Sequence, residues 1–314
     1  MTKSKSNGGF FMSVNTPVKT KKKINWMDVL MSIMPLIIML CLNTAATLPA
    51  FIAGYYELIK NGEIKENINV TDVLKTDLAQ FLLPVGFIVY AIICIIIFGI
   101  WYKKSFLKKQ ITITNKEVFK PKSVVLTFVG ALGVWALVNL ALMLVMILMP
   151  DLMNNYTNMM EDSGIGTNFI TTLIYVSFLG PIAEEYMFRG VTQAYLRRSG
   201  LPAAAVIFGQ AVLFGIAHMN LVQSSYAIVI GAFIGLLRYK YGNIRICCLA
   251  HIINNVTSSY GEILISKIGI PNSVSNIILA VMVGLGIVAV IFIMKTPTAA
   301  IDQKAADPVI KTTV

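Results

Sequence analysis

Charged residues are scarce in this chain of 314 residues, and histidine and cysteine are scarcer still. Asp, Glu, Lys and Arg together make up 13% of the sequence, whereas hydrophobic residues make up 56%. Because charged residues make up about 25% of a typical soluble domain, this composition excludes an ordinary soluble globular protein. It is typical of a chain embedded in a lipid bilayer.

The few cysteines and the positive charge exclude two further classes of protein. Cys41, Cys94, Cys247 and Cys248 all lie within apolar stretches, where thiols usually serve as small packing residues rather than as a disulfide framework. The net charge of +11 is spread over short segments between apolar runs, which does not indicate a nucleic-acid-binding domain. We therefore predict no disulfide and no nucleic-acid partner.

Long apolar runs predict an all-α polytopic membrane bundle. A hydrocarbon core ~30 Å thick requires roughly 20 apolar residues per helix, and about eight such stretches are present. Their ranges are 27–56, 78–102, 123–149, 168–189, 201–218, 221–238, 244–265 and 272–295. The first stretch is too long for a signal peptide and follows a polar, basic segment, so we interpret it as a true span.

The connections between these spans alternate in charge. Basic residues lie before the first span, between the second and third, and after the fourth and the sixth, while most acidic residues lie in the other connections. The positive-inside rule then predicts that both termini are cytoplasmic, in agreement with an even number of spans. We expect a multi-pass protein of the cell membrane, and the bias towards lysine, isoleucine and asparagine indicates a bacterial plasma membrane.

The chain divides into four predicted regions: a basic cytoplasmic segment (1–25), three N-terminal transmembrane helices (26–164), a core of four helices (165–265), and the last helix with a short cytoplasmic tail (266–314). Polar residues within spans concentrate in the core. An ionised side chain at mid-bilayer costs at least ~2.5 to 3.5 kcal/mol. Such residues therefore mark either a function or a neutralised pair.

The first polar element of the core contains Glu184, Glu185 and Arg189. On a helix, Glu185 and Arg189 are neighbours at i and i+4 and neutralise one another, whereas Glu184 points about 100° away and has no local partner. The simpler interpretation is a salt-bridged helix end at the membrane interface. The functional interpretation makes Glu184 a carboxylate available for chemistry.

The other two elements contain the only histidines of the chain. Phe214 and His218 share one helix face, and His251 and Asn255 share another, each pair at i and i+4. A lone intramembrane histidine is more often a hydrogen-bonded packing residue than a catalyst. Both histidines and Asn255, however, need partners on neighbouring helices.

Together the three elements supply what amide hydrolysis requires. Glu184 can take a proton from water, one histidine can share that role or hold the water, and the other, with Asn255, can donate hydrogen bonds to an oxyanion. The sequence contains no His-Glu-x-x-His and no Gly-x-Ser-x-Gly motif. A serine and histidine dyad, and a zinc site made of two histidines and a glutamate, remain open alternatives.

These elements resemble the motifs of the CPBP family, the CAAX proteases and bacteriocin-processing enzymes also called the Abi family. The family pattern is Glu-Glu-x-x-x-Arg, then Phe-x-x-x-His, then His-x-x-x-Asn. All three motifs occur here in order, and the resemblance covers the core at 165–265, about a third of the chain. It implies an eight-span membrane fold and a CAAX-type intramembrane endopeptidase.

The resemblance also implies a role for each residue. Glu184 and His218 activate the water, and His251 and Asn255 form the oxyanion hole, while the other members orient the site: Glu185, Arg189 and Phe214. The family is often described as metalloproteases, but the glutamate mechanism requires no metal. We therefore predict no required cofactor and no metal ligand, and leave zinc undecided.

Three functions are compatible with this pattern. The leading one is hydrolysis of a membrane-associated peptide or protein, for which the composition and the family favour a peptide pheromone or a bacteriocin leader. The second is a non-catalytic membrane protein for bacteriocin self-immunity or scaffolding, which would not need His251 and Asn255. The third is a proton-coupled transporter, which the lack of inverted repeats disfavours.

The predicted spans leave one conflict. In straight spans over 168–189 and 201–218, Glu184 lies near the cytoplasmic end and His218 near the outer end, about 20 Å apart in depth. A shared site therefore requires either that residues 190–209 form an interfacial helix or that the fifth span begins later than residue 201. The relative depth of the two side chains is a direct test of the shared site.

Overall fold

A computed structural model describes residues 23–63, 68–107, 115–162 and 172–298. Within these ranges the chain is helical and contains no strand, which confirms the prediction of an all-α membrane bundle. Most of the basic segment at 1–25 and of the tail after Lys295 lies outside the described residues. The division into four regions stays a prediction.

The helices follow one another with short connections. In chain order they are α1 (Trp26–Met31), α2 (Met34–Asn61), α3 (Val70–Leu74), α4 (Asp77–Ser105), α5 (Asn115–Val118), α6 (Pro121–Leu148), α7 (Pro150–Asp162), a composite helix α8 described below, α9 (Ala203–Ile216), α10 (Leu221–Tyr241), α11 (Ile244–Ile268) and α12 (Asn272–Lys295).

Among the described residues, five helical stretches are long and apolar enough to cross a membrane. They are Trp26–Asn61, Asp77–Ser105, Pro121–Leu148, Leu221–Tyr241 and Ser273–Lys295. The other three predicted spans coincide with α8, α9 and α11, of which α9 has only 14 residues and the other two carry the polar residues of the core. The chain is thus a multi-pass membrane protein, and the count of eight spans stays a prediction.

The helix ends that carry basic residues meet at one end of the bundle, which we term the basic end. There, Arg198 at the end of α8 binds Asp28 in α1 at 2.6 and 2.9 Å. Lys240 at the end of α10 donates to the carbonyl of Thr296, just after α12 (3.1 Å). This arrangement fits helices that alternate in direction, as the charge pattern predicts.

Helix α8 lies at the centre and packs on both halves of the bundle. Its side chains Met187, Phe188 and Val191 are buried against the aromatic side chains Phe98 and Tyr102 of α4. The second half forms its own cluster, in which α6, α10, α11 and α12 meet. Because α8 is covered from several sides, it can hold polar residues away from lipid.

A close helix contact lies between α6 and α12, where Gly133 faces Gly286. A Cβ on Gly133 would collide with Cα of Gly286 and lie 2.9 Å from the carbonyl oxygen of Met282. Small residues allow this approach of two backbones, as in other membrane helix pairs.

We expect Gly133→Ala to destabilise the bundle by about 1 to 3 kcal/mol, the usual cost of overpacking a well-packed contact. Gly284→Ala is the matched control, because a Cβ there has no atom within 4 Å. Thermal unfolding in detergent measures both. An equal effect of the two variants would contradict the close contact.

The conflict in depth disappears because α8 is longer than predicted. The helix that contains the predicted fourth span continues past residue 189 without interruption to Arg198 and ends before Gly200, whose φ is +86°. Glu184 therefore lies about 20 Å from the basic end of α8. His218, just beyond the other end of α9, lies at about the same depth.

Candidate active site

Helix α8 changes its winding at the site. It consists of a π-helical segment (Thr172–Leu179), an α-helical turn (Gly180–Glu184), a second π-helical segment (Glu185–Thr192) and an α-helical end (Gln193–Arg198). The junction at residues 184 and 185 keeps helical backbone angles throughout. π-helical segments are rare and concentrate at functional sites, and here one begins at the paired carboxylates.

Glu185 and Arg189 form a completely buried ion pair. Nη1 of Arg189 lies 2.9 Å from Oε1 of Glu185, and both side chains are 0% exposed. The guanidinium also donates to the carbonyl of Gly231 in α10 (3.2 Å) and lies over the ring of Phe214, 4.6 Å from its centroid. The pairing predicted from the spacing at i and i+4 is present, and it connects α8 to α9 and α10.

His251 in α11 lies between the two carboxylates. Its Nδ1 is 2.8 Å from Oε1 of Glu185, and its Nε2 is 3.6 Å from Oε2 of Glu184. Because a carboxylate oxygen can only accept a hydrogen bond, Nδ1 of His251 carries the hydrogen that is donated to Glu185. The separation at Nε2 is too long for a direct hydrogen bond, so Glu184 faces the ring without being held by it.

The two glutamates differ in access. The side chain of Glu184 is 28% exposed, whereas that of Glu185 is 0% exposed and is bound by Arg189 and His251. Tyr90 and Tyr175 lie near enough to interact electrostatically with Glu184. Of the pair, only Glu184 is open to a reacting molecule.

His218 and His251 both contact the ring of Phe214. The ring of Phe214 meets that of His218 edge-to-face at 4.9 Å and that of His251 at 5.7 Å. Nδ1 of His218 lies 2.9 Å from the carbonyl of Phe214, which can only accept, so this nitrogen carries the proton. In the neutral ring Nε2 is then a free acceptor.

Asn255 is attached to α8 rather than to the other members of the set. Its Nδ2 donates to the carbonyl of Val176 in the first π-helical segment, at 2.8 Å. One hydrogen of that amide group is therefore used, and the second has no partner among the residues that the structure describes. Its neighbour Asn254 is buried and donates to the carbonyl of Ala250 in its own helix.

The structure thus brings most of the predicted residues into one connected group. Glu184, Glu185 and His251 are in direct contact. Arg189 binds Glu185, and Phe214 touches both histidines. Within the part of the chain that the structure describes, His218 forms no hydrogen bond with Glu184, and Asn255 forms none with His251.

Sequence reasoning missed a second set of polar residues around α8. Gln193 donates to the carbonyl of Gly235 at 2.8 Å, and Gln210 donates to that of Gly231 at 2.8 Å. Arg238 donates to the carbonyl of Arg189 at 3.2 Å. The sequence contained two signals for this set: the three polar residues lie within apolar runs, and the glycines whose carbonyls accept the bonds from the two glutamines, Gly231 and Gly235, are four residues apart in α10.

Possible metal ligands do not form a preassembled cluster at the site. Among the described residues, no three His, Cys, Asp or Glu side chains lie close enough to hold a metal ion together. Nδ1 of His251 is bound to Glu185, an arrangement that is also common for histidines that bind a metal through the other nitrogen. Zinc therefore stays undecided.

The comparison with known families agrees with the three motifs. Residues 166–257 match the family model of the type II CAAX prenyl endopeptidases, described as Rce1-like, and this segment contains every residue of the candidate site. No curated protein and no solved structure matches the chain. Over this segment, about three tenths of the chain, the protein is similar to the CAAX-type membrane proteases.

Proposed function

We propose that this protein is an intramembrane endopeptidase that hydrolyses a peptide bond of a membrane-associated peptide or protein with water activated by Glu184. One observation carries the proposal. Of two adjacent carboxylates that face the same histidine, Glu184 is 28% exposed, and Glu185 is fully buried and ion-paired. The pair therefore divides into one group open to substrate and one that positions His251.

The reaction proceeds in two proton transfers. Glu184 takes a proton from water, and the resulting hydroxide attacks the carbonyl carbon of the scissile bond. When the tetrahedral intermediate collapses, Glu184 gives that proton to the leaving nitrogen. The products are a carboxylic acid and an amine, and no other reactant is consumed.

The histidines and Asn255 take complementary parts. The free Nε2 of His218 can accept a hydrogen bond from the attacking water, because the Nδ1 hydrogen is already donated to the Phe214 carbonyl. A protonated His251 between two carboxylates can donate from Nε2, and Asn255 has a second amide hydrogen. Both fit donors to the oxyanion, a contribution of about 3 to 4 kcal/mol per donor in other hydrolases.

Glu185, Arg189 and Phe214 position these groups without touching substrate. Glu185 fixes the ring of His251, Arg189 neutralises Glu185, and Phe214 packs against both histidine rings. No step of this mechanism passes through a metal or another cofactor. For the substrate, we propose a peptide pheromone or bacteriocin leader at a bacterial plasma membrane.

The second candidate is a non-catalytic protein for bacteriocin self-immunity or scaffolding. Such a protein would need the buried ion pair for its fold, but it would gain nothing from an exposed glutamate beside a positioned histidine. The contact between Glu184 and His251 is the observation that favours catalysis.

The test is a search for new peptide termini. The purified protein is reconstituted in vesicles with a library of membrane-anchored peptides, and mass spectrometry identifies the cleaved bonds. We expect cleavage at a restricted set of sites, unchanged by 1,10-phenanthroline because no metal takes part. Inhibition by the chelator with recovery on adding Zn²⁺ would contradict the metal-free mechanism, and no cleavage by the folded protein would favour the non-catalytic function.

A further inference from the structure

A cavity of about 530 Å³ opens at the basic end, beside the site but distinct from it. It lies between the end of α4, the start of α11 and the outward face of α8. Tyr186, which directly follows Glu185, is part of its wall. None of the residues assigned to catalysis lines it, so its chemistry requires a separate account.

The wall of this cavity is cationic. Lys103 from α4 and Arg245 from α11 both line it, and both are exposed. No Asp or Glu is among its described lining residues, and within the described chain neither cation forms an ion pair. Asn115 and Asn243 lie on the same wall and are joined by a hydrogen bond of 3.1 Å.

A third cation lies directly behind the wall. Arg238 in α10 is 4% exposed and donates to the hydroxyl of Tyr102, a lining residue, at 3.0 Å. Its Nη1 has no hydrogen-bond partner in the described structure, and the residue has no carboxylate beside it there. A buried charge without a counter-ion is unfavourable, so an anion in the adjoining cavity would stabilise this region.

The same cavity also has an apolar side. Ile95, Gly99, Leu107 and Ile244 line it together with the cations. Gly99 has only the ring of Tyr186 near its missing side chain, at 3.9 Å, which leaves room along α4. A wall with cations at one end and apolar residues at the other matches an amphiphile better than a small ion.

We propose that this cavity binds the phosphate head group of an acidic phospholipid from the leaflet at the basic end. By the positive-inside rule this is the cytoplasmic leaflet, which carries anionic lipids, and basic pockets between transmembrane helices are typical sites for such head groups. Lys103 and Arg245 contact the phosphate, and an acyl chain follows the apolar side.

The site is linked to the catalytic helix. Arg238 joins Tyr102 in the wall to the carbonyl of Arg189 in α8, with bonds of 3.0 and 3.2 Å. A bound anion therefore offsets the charge of Arg238, and Arg238 in turn contacts α8 at Arg189, the partner of Glu185 in the buried ion pair. This role in lipid recognition does not depend on the proposed protease activity.

The experiment measures lipid binding in a Glu184→Gln background, so that its result is independent of catalysis. Affinities for phosphatidylglycerol and phosphatidylcholine are compared for three proteins: the Glu184→Gln protein itself, the same protein with both Lys103→Gln and Arg245→Gln (the paired change), and the same protein with Lys104→Gln. Lys104 is the matched control, because it is exposed and adjacent to Lys103 but does not line the cavity. We expect the paired change to weaken phosphatidylglycerol binding about 30-fold, at roughly fivefold per cation, and Lys104→Gln to leave it unchanged.

Several results would overturn the proposal. Equal losses from Lys104→Gln and the paired change would indicate general attraction to the basic end. Displacement of phosphatidylglycerol by inorganic phosphate would assign the cavity to the free anion. Displacement by a peptide with a free terminal carboxylate, but not by its amide, would assign it to a peptide. The proposal is supported if phosphatidylglycerol stays bound in the Lys104→Gln protein, in the presence of inorganic phosphate and in the presence of the peptide, and is lost only in the paired variant.

Discussion

Replacing Glu184 with glutamine should reduce peptide-bond cleavage by about a thousandfold while the protein stays folded. Glutamine has nearly the same shape but cannot take a proton from water, and the loss of a general base typically costs about 10² to 10⁴ in rate. Because the side chain is 28% exposed and its nearest charged contact is at 3.6 Å, the change breaks no hydrogen bond of the fold. Initial rates in vesicles measure the loss.

Glu185→Gln is the variant that makes this test specific. It leaves Arg189 buried with a neutral partner and weakens the bond to Nδ1 of His251, so we expect it to lower both the cleavage rate and the melting temperature. Glu184→Gln should lower the rate alone. Cleavage at the unchanged rate by a folded Glu184→Gln protein would refute the mechanism.

The three motifs were readable from the sequence because each depends on local spacing. The pairing of Glu185 with Arg189 follows from their separation along one helix, and the structure contains it at 2.9 Å. The contact of both glutamates with His251 could not be predicted in this way. A standard helix separates residues 184 and 185 by about 100°, and the two carboxylates are linked by the ring of His251 from another helix, whose two nitrogens lie 2.8 and 3.6 Å from them.

The extension of α8 beyond the predicted fourth span has a physical cause. A span predicted from hydropathy ends where charged residues begin, and Arg189 was therefore placed near the boundary. In the folded protein Glu185 neutralises Arg189, and Gln193 one turn later binds the carbonyl of Gly235. The helix thus continues through polar residues that other helices satisfy, which no single-helix criterion detects.

The glycines of α10 explain why the polar residues around α8 were missed. The carbonyls of Gly231 and Gly235 accept side-chain hydrogen bonds from two neighbouring helices. At Gly235 a Cβ would collide with Nε2 of Gln210. Glycine is required there for access to a carbonyl, a function that spacing in the sequence does not distinguish from close helix packing.

The buried ion pair should account for the largest single loss of stability. Arg189→Met removes a guanidinium that is 0% exposed and leaves the equally buried Glu185 without its cation. Breaking such a pair by removing one partner typically costs about 3 to 5 kcal/mol, and the bond to the Gly231 carbonyl is lost as well. The free energy of unfolding in mixed detergent micelles measures the effect.

Arg198→Met is the matched control, since it removes the same kind of side chain from the basic end of the same helix. The hydrogen bond that Arg198 donates to Asp28 raises the pKa of Arg198. The arginine side chain is 42% exposed although Asp28 is only 6% exposed, so we expect a smaller loss than from the fully buried pair. A second change to Glu185→Gln in the Arg189→Met protein should recover part of its stability, because the uncompensated charge is then removed. Equal losses from Arg189→Met and Arg198→Met, or no recovery in the double variant, would show that burial of the pair is not what makes it costly to break.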